Sequence, residues 1–227
     1  MILDGAIERD GFAIVPDVLP SLDVDLIVKA ISAAAPNRSR AGIRHALSLN
    51  AVNELAQQPI VIELARCVLG PTAFPFRATL FDKSSKSNWL VVWHQDTALP
   101  LREKSEVPSW GPWSVKDCIF YAHAPATALS QVLALRIHLD HSTAQNGPLR
   151  LLPGTHTLGV LDDDYMHELS MLISPVECLV PKGGILAMRP LLIHSSSKSQ
   201  IEGDRRVLHV EYAASSSIAA PLELAVT

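Results

Sequence analysis

The spacing of apolar positions changes character once along the chain. As far as Gly70 they recur at helical intervals, and from Phe74 onward they run together or alternate as in strands. Gly11–Val15 reads as a short strand ending at Pro16. A loop and then a helix follow over residues 17–36, with Leu22, Leu26, Ile27, Ala30, Ile31 and Ala34 as its apolar stripe and Ser21 as its N-cap. Residues 36–42 make a basic loop. Asn50 caps a second helix that breaks near Gln58. Pro59 suits the first turn of a third, which Gly70-Pro71 stops.

The second half is β. Phe74–Phe81 is a strand, and after a polar turn the run Asn88–Trp93 continues into His94-Gln95-Asp96. The 97–128 stretch reads as a long Pro-rich connection. Its Trp110 and Trp113 suggest a lid packed on the molecule, or equally two core anchors. Val132–Leu139 has two unlike faces. Leu133, Leu135, Ile137 and Leu139 form an apolar face to pack on helices, while Val132, Ala134, Arg136 and His138 look into a cavity. Asn146-Gly147 is a turn, Leu149–Leu152 a strand closed by Pro153-Gly154, and 155–173 irregular or helical around Asp162-Asp163-Asp164. Val176–Val180, Ile185–Ile193 and Arg205–Ala213 complete the strands. In the last, Arg205, Val207, His209 and Glu211 share the inward face. The Ser- and Ala-rich tail is expected to fray. Helices first and many strands after them predict a mainly β fold with flanking helices (α+β), in which the helices pack on one sheet of an antiparallel sandwich or barrel.

Composition narrows this rather than changing it. At 227 residues, with 48% hydrophobic and 19% charged positions, one domain over 1–227 is expected, with a helical part at about 17–70 and a β core at about 74–213. A net charge of −4 and the lack of a polybasic run give no reason to expect nucleic acid or a membrane surface. No apolar stretch reaches the length of a membrane span, and the charged start leaves no signal-peptide core. Three scattered cysteines, Cys67, Cys118 and Cys178, suit a reducing cytoplasm. Oligomeric state is not legible.

Candidate chemistry begins at His94 and Asp96. On a strand these two share a face, and an imidazole beside a carboxylate supplies two ligands of a two-His-one-carboxylate metal site. His138-Leu139-Asp140 and His209-Val210-Glu211 have the same spacing. His194, where an apolar strand meets Ser195-Ser196-Ser197, is a candidate third ligand. Arg205 follows one hairpin connection later, so its strand is expected beside that of His194, with its planar fork free to bind a carboxylate.

In order, Trp93-His94-Gln95-Asp96, Asn146-Gly147-Pro148-Leu149 with Pro153-Gly154-Thr155-His156, and Ile193-His194-Ser195-Ser196 with Arg205 resemble the phytanoyl-CoA dioxygenase (PhyH-like) family of non-haem Fe(II)- and 2-oxoglutarate-dependent oxygenases. The resemblance implies a double-stranded β-helix, a cupin-like jelly roll. It implies Fe(II) held by His94, Asp96 and His194, with dioxygen and 2-oxoglutarate as cosubstrates. It also implies an arginine eleven residues beyond the distal histidine on the far carboxylate, which is Arg205 and not Arg206. Arg136, Ser196 and Thr79 match positions lining the cosubstrate pocket, and Arg44 a basic position ahead of the core. A carboxylate at Asp96, where related halogenases have a small residue, points to hydroxylation or another oxidation, with release of succinate and CO2.

The lid sequence around Trp110-Gly111-Pro112-Trp113 differs from that of the phytanoyl-CoA hydroxylase, so its acyl-CoA substrate is not carried over. Arg102, Trp110, Trp113 and Lys116 suit a small-molecule substrate, acidic or amphipathic. A cupin-like metal enzyme that does not use 2-oxoglutarate, and a silent binding protein on the same barrel, are the competing readings.

Overall fold

Proline and glycine punctuate the helical part as their backbone limits require. The structure, a computed structural model, describes residues 2–35, 42–84 and 87–227. The basic loop read at 36–42 lies, apart from Gly42, outside the described residues. The first half holds α1 (Ile2–Asp10), β1 (Phe12–Val15), α2 (Ser21–Ala34), β2 (Gly42–Ile43), α3 (Asn50–Gln57) and α4 (Pro59–Leu69). Pro59 occupies the first turn of α4, and Gly70 at φ +92° ends it, where a side chain would be strained. α1 was not legible in the sequence. Ser21 is the first helical residue rather than the cap, since Pro20 precedes α2 and no side chain caps it.

The apolar stripe of α2 is also corrected. Leu22 and Leu26 are 71% and 57% exposed, whereas Val24 and Ile31 are buried with Ile27 and Val28 packed beside them. Two residues of helix turn the face by about 200°. The true seam is therefore the i, i+3, i+4, i+7 set from Val24, hidden in the sequence between Asp23 and Asp25.

The β part comprises β3 (Phe74–Lys83), β4 (Val91–His94), β5 (Ala98–Leu101), β6 (Trp113–Lys116), β7 (Ile119–His123), α5 (Ala126–Leu129), β8 (Val132–His138), β9 (Leu149–Leu151), α6 (Asp163–Leu172), β10 (Val176–Glu177), β11 (Ile185–Met188), β12 (His194–Ser196), β13 (Arg205–Ala213), β14 (Ser217–Ala219) and β15 (Leu222–Glu223). A six-stranded antiparallel sheet runs β1-β11-β8-β13-β3-β2, and a four-stranded one runs β10-β9-β12-β4. Their facing sides share a core of Ala134, Leu186 and Met188 from the first with Leu149 and Leu151 from the second. This is a double-stranded β-helix. On its outer side Leu133, Leu135, Ile137, Leu208, Val210 and Tyr212 pack against α1–α4, as the alternation predicted. Each such side chain contributes about 1.5–3 kcal/mol by leaving water. The Tyr212 hydroxyl donates to Ala56 O at 2.7 Å, giving this core its polar tether.

Residues 97–128 are corrected from an irregular lid to a built layer. β5, β7 and β6 form a three-stranded sheet, followed by α5. Trp110 is buried among Phe76, Leu99, Leu101 and Leu129, with Trp113 packed against the same cluster. Both act as core anchors. Trp110→Phe is expected to lower stability by about 1–2 kcal/mol through lost packing, with ligand binding in the folded fraction unchanged. Chemical denaturation and ligand titration on one sample read the two separately. The tail does not fray either. Leu222 and Leu224 are buried, and Thr227 exchanges backbone hydrogen bonds with Phe76 O at 2.7 Å and Ala78 N at 3.0 Å.

Two further corrections matter for the site. Ile185–Ile193 is not one strand. β11 stops at Met188 and a turn carries the chain to the other sheet, so His194 opens β12 rather than closing the preceding strand. Nor do β12 and β13 pair. β12 lies between β9 and β4, and β13 between β8 and β3, so His194 and Arg205 stand on opposing sheets across one cavity. None of the described helices is long and apolar enough to cross a membrane.

Candidate metal centre and anion cradle

β4 and β12 bring two distant histidines into register. His194 pairs with His94, but Ser196 pairs with Val91, so β4 carries an extra residue as a bulge. The bulge breaks strict alternation. Val91 and His94 both face the cavity, while Val92 is 70% exposed. The two imidazoles lie 4.1 Å apart, centre to centre.

Each ring is oriented by the same device. His94 Nδ1 stands 2.9 Å from Val92 O and His194 Nδ1 2.8 Å from Leu192 O. A carbonyl only accepts, so both Nδ1 atoms carry the proton and both Nε2 lone pairs are free. Those Nε2 atoms face Asp96, from His94 at 3.8 Å to Oδ1 and from His194 at 3.5 Å to Oδ2. The three ligand atoms lie within 4.8 Å of one another. Three donors about 2.1 Å from one ion stand about 3 Å apart when mutually perpendicular. The cluster thus fits a single ion after a small inward adjustment. His194 is buried, while the His94 and Asp96 side chains are about one-third exposed, which leaves an accessible side.

The electrostatics agree. Burial, offset in part by Asp96, lowers the His194 pKa to about 4, so its imidazole is neutral and able to ligate at neutral pH. Burial pushes the Asp96 carboxyl up, but His194, His209, His94 and Arg77 outweigh it and hold it below the usual carboxylate range. Gln95 points away, as read from the sequence. Its Nε2 donates to Gly159 O and Leu191 O and its Oε1 accepts from Leu161 N, pinning the loops behind the site.

Beside the triad lies a cavity of about 90 Å³, walled by both sheets. Three cations line it: Lys83 from β3, Arg136 from β8 and Arg205 from β13. All three are buried. The Nε atoms of Arg136 and Arg205 have no hydrogen-bond partner among the described residues. Burial, with Arg136 nearby, lowers the Arg205 pKa to about 10. Arg206, on the opposite face of β13, binds Asp140 through Nε and Nη2 at 2.7 Å each. Arg205 thus faces the cavity and Arg206 does not.

The rival pairs are otherwise engaged. Asp140 belongs to Arg206, and His138 Nδ1 lies 3.0 Å from the Ser142 hydroxyl. Glu211 is held by Arg77, whose Nη2 donates to it at 2.6 Å. Arg136 donates to His209 Nδ1 at 3.0 Å, and burial beside that arginine keeps the His209 pKa well below its ordinary value.

Of the remaining residues singled out, Ser196 lines the cavity. Thr79 pairs with His209 on the neighbouring strand, partly buried and outside the cavity lining. Arg44 is exposed. Arg102 is exposed and pairs with Glu223 at 2.6 Å, and the Lys116 ammonium sits 4.8 Å from the Tyr121 ring centre. None of Arg102, Trp110, Trp113 and Lys116 lines the cavity. Sequence reasoning missed Lys83, Phe81, Trp89 and Leu149. The signal for the first two was the alternation Arg77, Thr79, Phe81, Lys83, cut short by ending the strand at Phe81.

Comparison with known proteins agrees with this architecture. The chain is 23% identical over 184 residues to the L-proline trans-4-hydroxylase of Streptomyces griseoviridis, covering 70% of this chain and 61% of that protein. It is 24% identical over 170 residues to the peroxisomal phytanoyl-CoA dioxygenase of Rattus norvegicus, covering 69% and 44%. The matched stretch thus spans less than two thirds of either relative. Among solved structures, the epimerase SnoN in complex with Fe3+, alpha ketoglutarate and nogalamycin RO superposes with a TM-score of 0.72 at 19% identity, over 93% of this chain and 82% of that one. The profile of the Phytanoyl-CoA dioxygenase (PhyH) family matches residues 7–207. With its two-sheet scaffold and one cavity joining two histidines, an aspartate and buried cations, the chain belongs to the PhyH family.

Proposed function

We propose that this chain is an Fe(II)- and 2-oxoglutarate-dependent oxygenase that hydroxylates a small-molecule substrate, with 2-oxoglutarate leaving as succinate and CO2. The observation that carries the reading is the pairing, in one cavity, of a His-Asp-His cluster with arginine nitrogens that have no partner among the described residues. Family membership, and the iron and alpha ketoglutarate named for SnoN, support it.

In this reading His94, Asp96 and His194 hold the iron. Their Nδ1–carbonyl bonds keep the histidine nitrogens aimed. Arg205 takes the distal carboxylate of 2-oxoglutarate, with Arg136 and Ser196 beside it; Thr79, on β3 outside the lining, acts at most through its neighbours Phe81 and His209. Bound iron with 2-oxoglutarate activates dioxygen for insertion into a C–H bond. The chain orients both ligands and limits water around them. Residues 1–227 form one catalytic unit, and three unpaired cysteines favour a cytoplasmic location.

The test is anaerobic Fe(II) titration with and without 2-oxoglutarate, followed by aerobic assay of succinate across a metabolite panel. A visible absorption band that needs both components, and succinate release, are expected. Iron binding that 2-oxoglutarate does not alter would favour a metal enzyme of another kind. Failure to bind iron would leave a binding protein on this fold.

A further inference from the structure

Lys83 is the one cavity cation that the sequence reading did not assign. It ends the inward face of β3, is 2% exposed, and shares the cavity with Arg136 and Arg205. A buried ammonium without a carboxylate is costly unless its hydrogens are satisfied or a ligand completes them. Lys83 Nζ donates to Ser196 Oγ at 2.7 Å and Ser197 O at 2.6 Å. An ammonium has three hydrogens. Two are thereby used, the Trp89 ring lies 5.6 Å away, and no carboxylate meets the group among the described residues.

Ser196 sharpens the point. Its hydroxyl accepts from Lys83 and donates to Gly147 O at 3.0 Å. Its single proton is committed away from the cavity. What β12 offers an incoming anion is therefore less the serine hydroxyl than the ammonium the serine holds in place. The turn behind is equally constrained. Gly147 has φ +68°, and a Cβ there would come within 2.3 Å of Ser197 O, the second acceptor of Lys83.

We infer that Lys83 is a cosubstrate-binding residue, its ammonium forming with Arg205 a two-cation clamp on the distal carboxylate of the 2-oxo acid. The inference rests on the 2-oxoglutarate reading above and adds a residue and a selectivity to it. Burial, with Arg205 and Arg136 nearby, lowers the Lys83 pKa to about 7, a cost that a bound carboxylate relieves. Seating a dicarboxylate thus completes a site whose positive charge is under-neutralised.

The experiment compares 2-oxoglutarate with 2-oxopentanoate, which carries a methyl in place of the distal carboxylate. Dissociation constants are measured anaerobically on the Fe(II)-loaded chain from the absorption of the bound 2-oxo acid, so turnover is not needed. The unsubstituted chain is expected to favour the dicarboxylate. Lys83→Met is expected to weaken 2-oxoglutarate roughly ten-fold and leave 2-oxopentanoate unchanged, collapsing the preference. If Lys83→Met does not fold, Lys83→Gln, which keeps a donor for Ser197 O without the charge, carries the same comparison. An equal loss for both ligands would make Lys83 structural, and an unchanged preference would remove it from the clamp. If the unsubstituted chain binds neither 2-oxo acid, the 2-oxoglutarate reading itself falls, and the Lys83 role with it.

Discussion

His194→Ala and Asp96→Ala each abolish retention of Fe(II) by a chain that remains folded. The expectation follows from how few groups can serve. Three ligand atoms converge within 4.8 Å, and no other such cluster of His, Cys, Asp and Glu occurs among the described residues. Removing His194 deletes a nitrogen whose lone pair is held toward the ion by its bond to Leu192 O. Removing Asp96 deletes the one anionic member of the cluster, whose carboxyl is held below the usual carboxylate range. Loss of one of three protein ligands exceeds the 10–100-fold effect typical of a partner one shell further out. Fold loss should be modest, because these side chains bridge strand ends and not the apolar core on the helical side. Iron content after desalting, with circular dichroism as the fold control, reads the result. Full iron content in His194→Ala would transfer the ligand role to His138 or His209, which the structure shows bonded to Ser142 and Arg136 instead.

Strand alternation in β8 and β13 was legible because both strands run regularly between an apolar layer and a cavity. Arg136, Arg205 and the Leu133-Leu135-Ile137 face all fell where the period put them. Alternation in β4 was only half reliable. The bulge between Val91 and His94 adds a residue that nothing in an apolar run announces. Pairing was the larger loss. The turn after Met188 moves the chain from one sheet to the other, and a continuous apolar stretch reads the same whether it is one strand or two. The supposed neighbourhood of β12 and β13 failed for that reason, although the two residues it was meant to join do meet, from opposite walls. Lys83 was lost to a boundary error of two residues, and the strands within 97–128 were missed because a short three-stranded sheet interrupted by proline resembles a loop in its composition, so the sequence left open whether its tryptophans were lid or core.

Arg205→Ala weakens 2-oxoglutarate binding by roughly ten- to a hundred-fold, and Arg206→Ala leaves it within a factor of about two, because removing a charge-assisted bidentate partner costs about 1.5–3 kcal/mol and removing a partly buried ion pair on the opposite face of the strand costs the ligand nothing. The two arginines are adjacent, so bulk charge and distance along the chain are matched controls. What differs is the face of β13. Arg205 points inward, with Nε unpartnered among the described residues, whereas Arg206 spends its fork on Asp140 and packs toward the surface. Arg206→Ala should instead lower stability, by about 1 kcal/mol or less. Arg205→Lys sharpens the comparison. It keeps the charge but loses the planar fork, so an intermediate affinity is expected. Binding is measured anaerobically with Fe(II) present, beside denaturation midpoints for all three variants. Equal weakening by Arg205→Ala and Arg206→Ala would mean that long-range charge holds the anion, and the cavity between β12 and β13 would lose its role as the cosubstrate site.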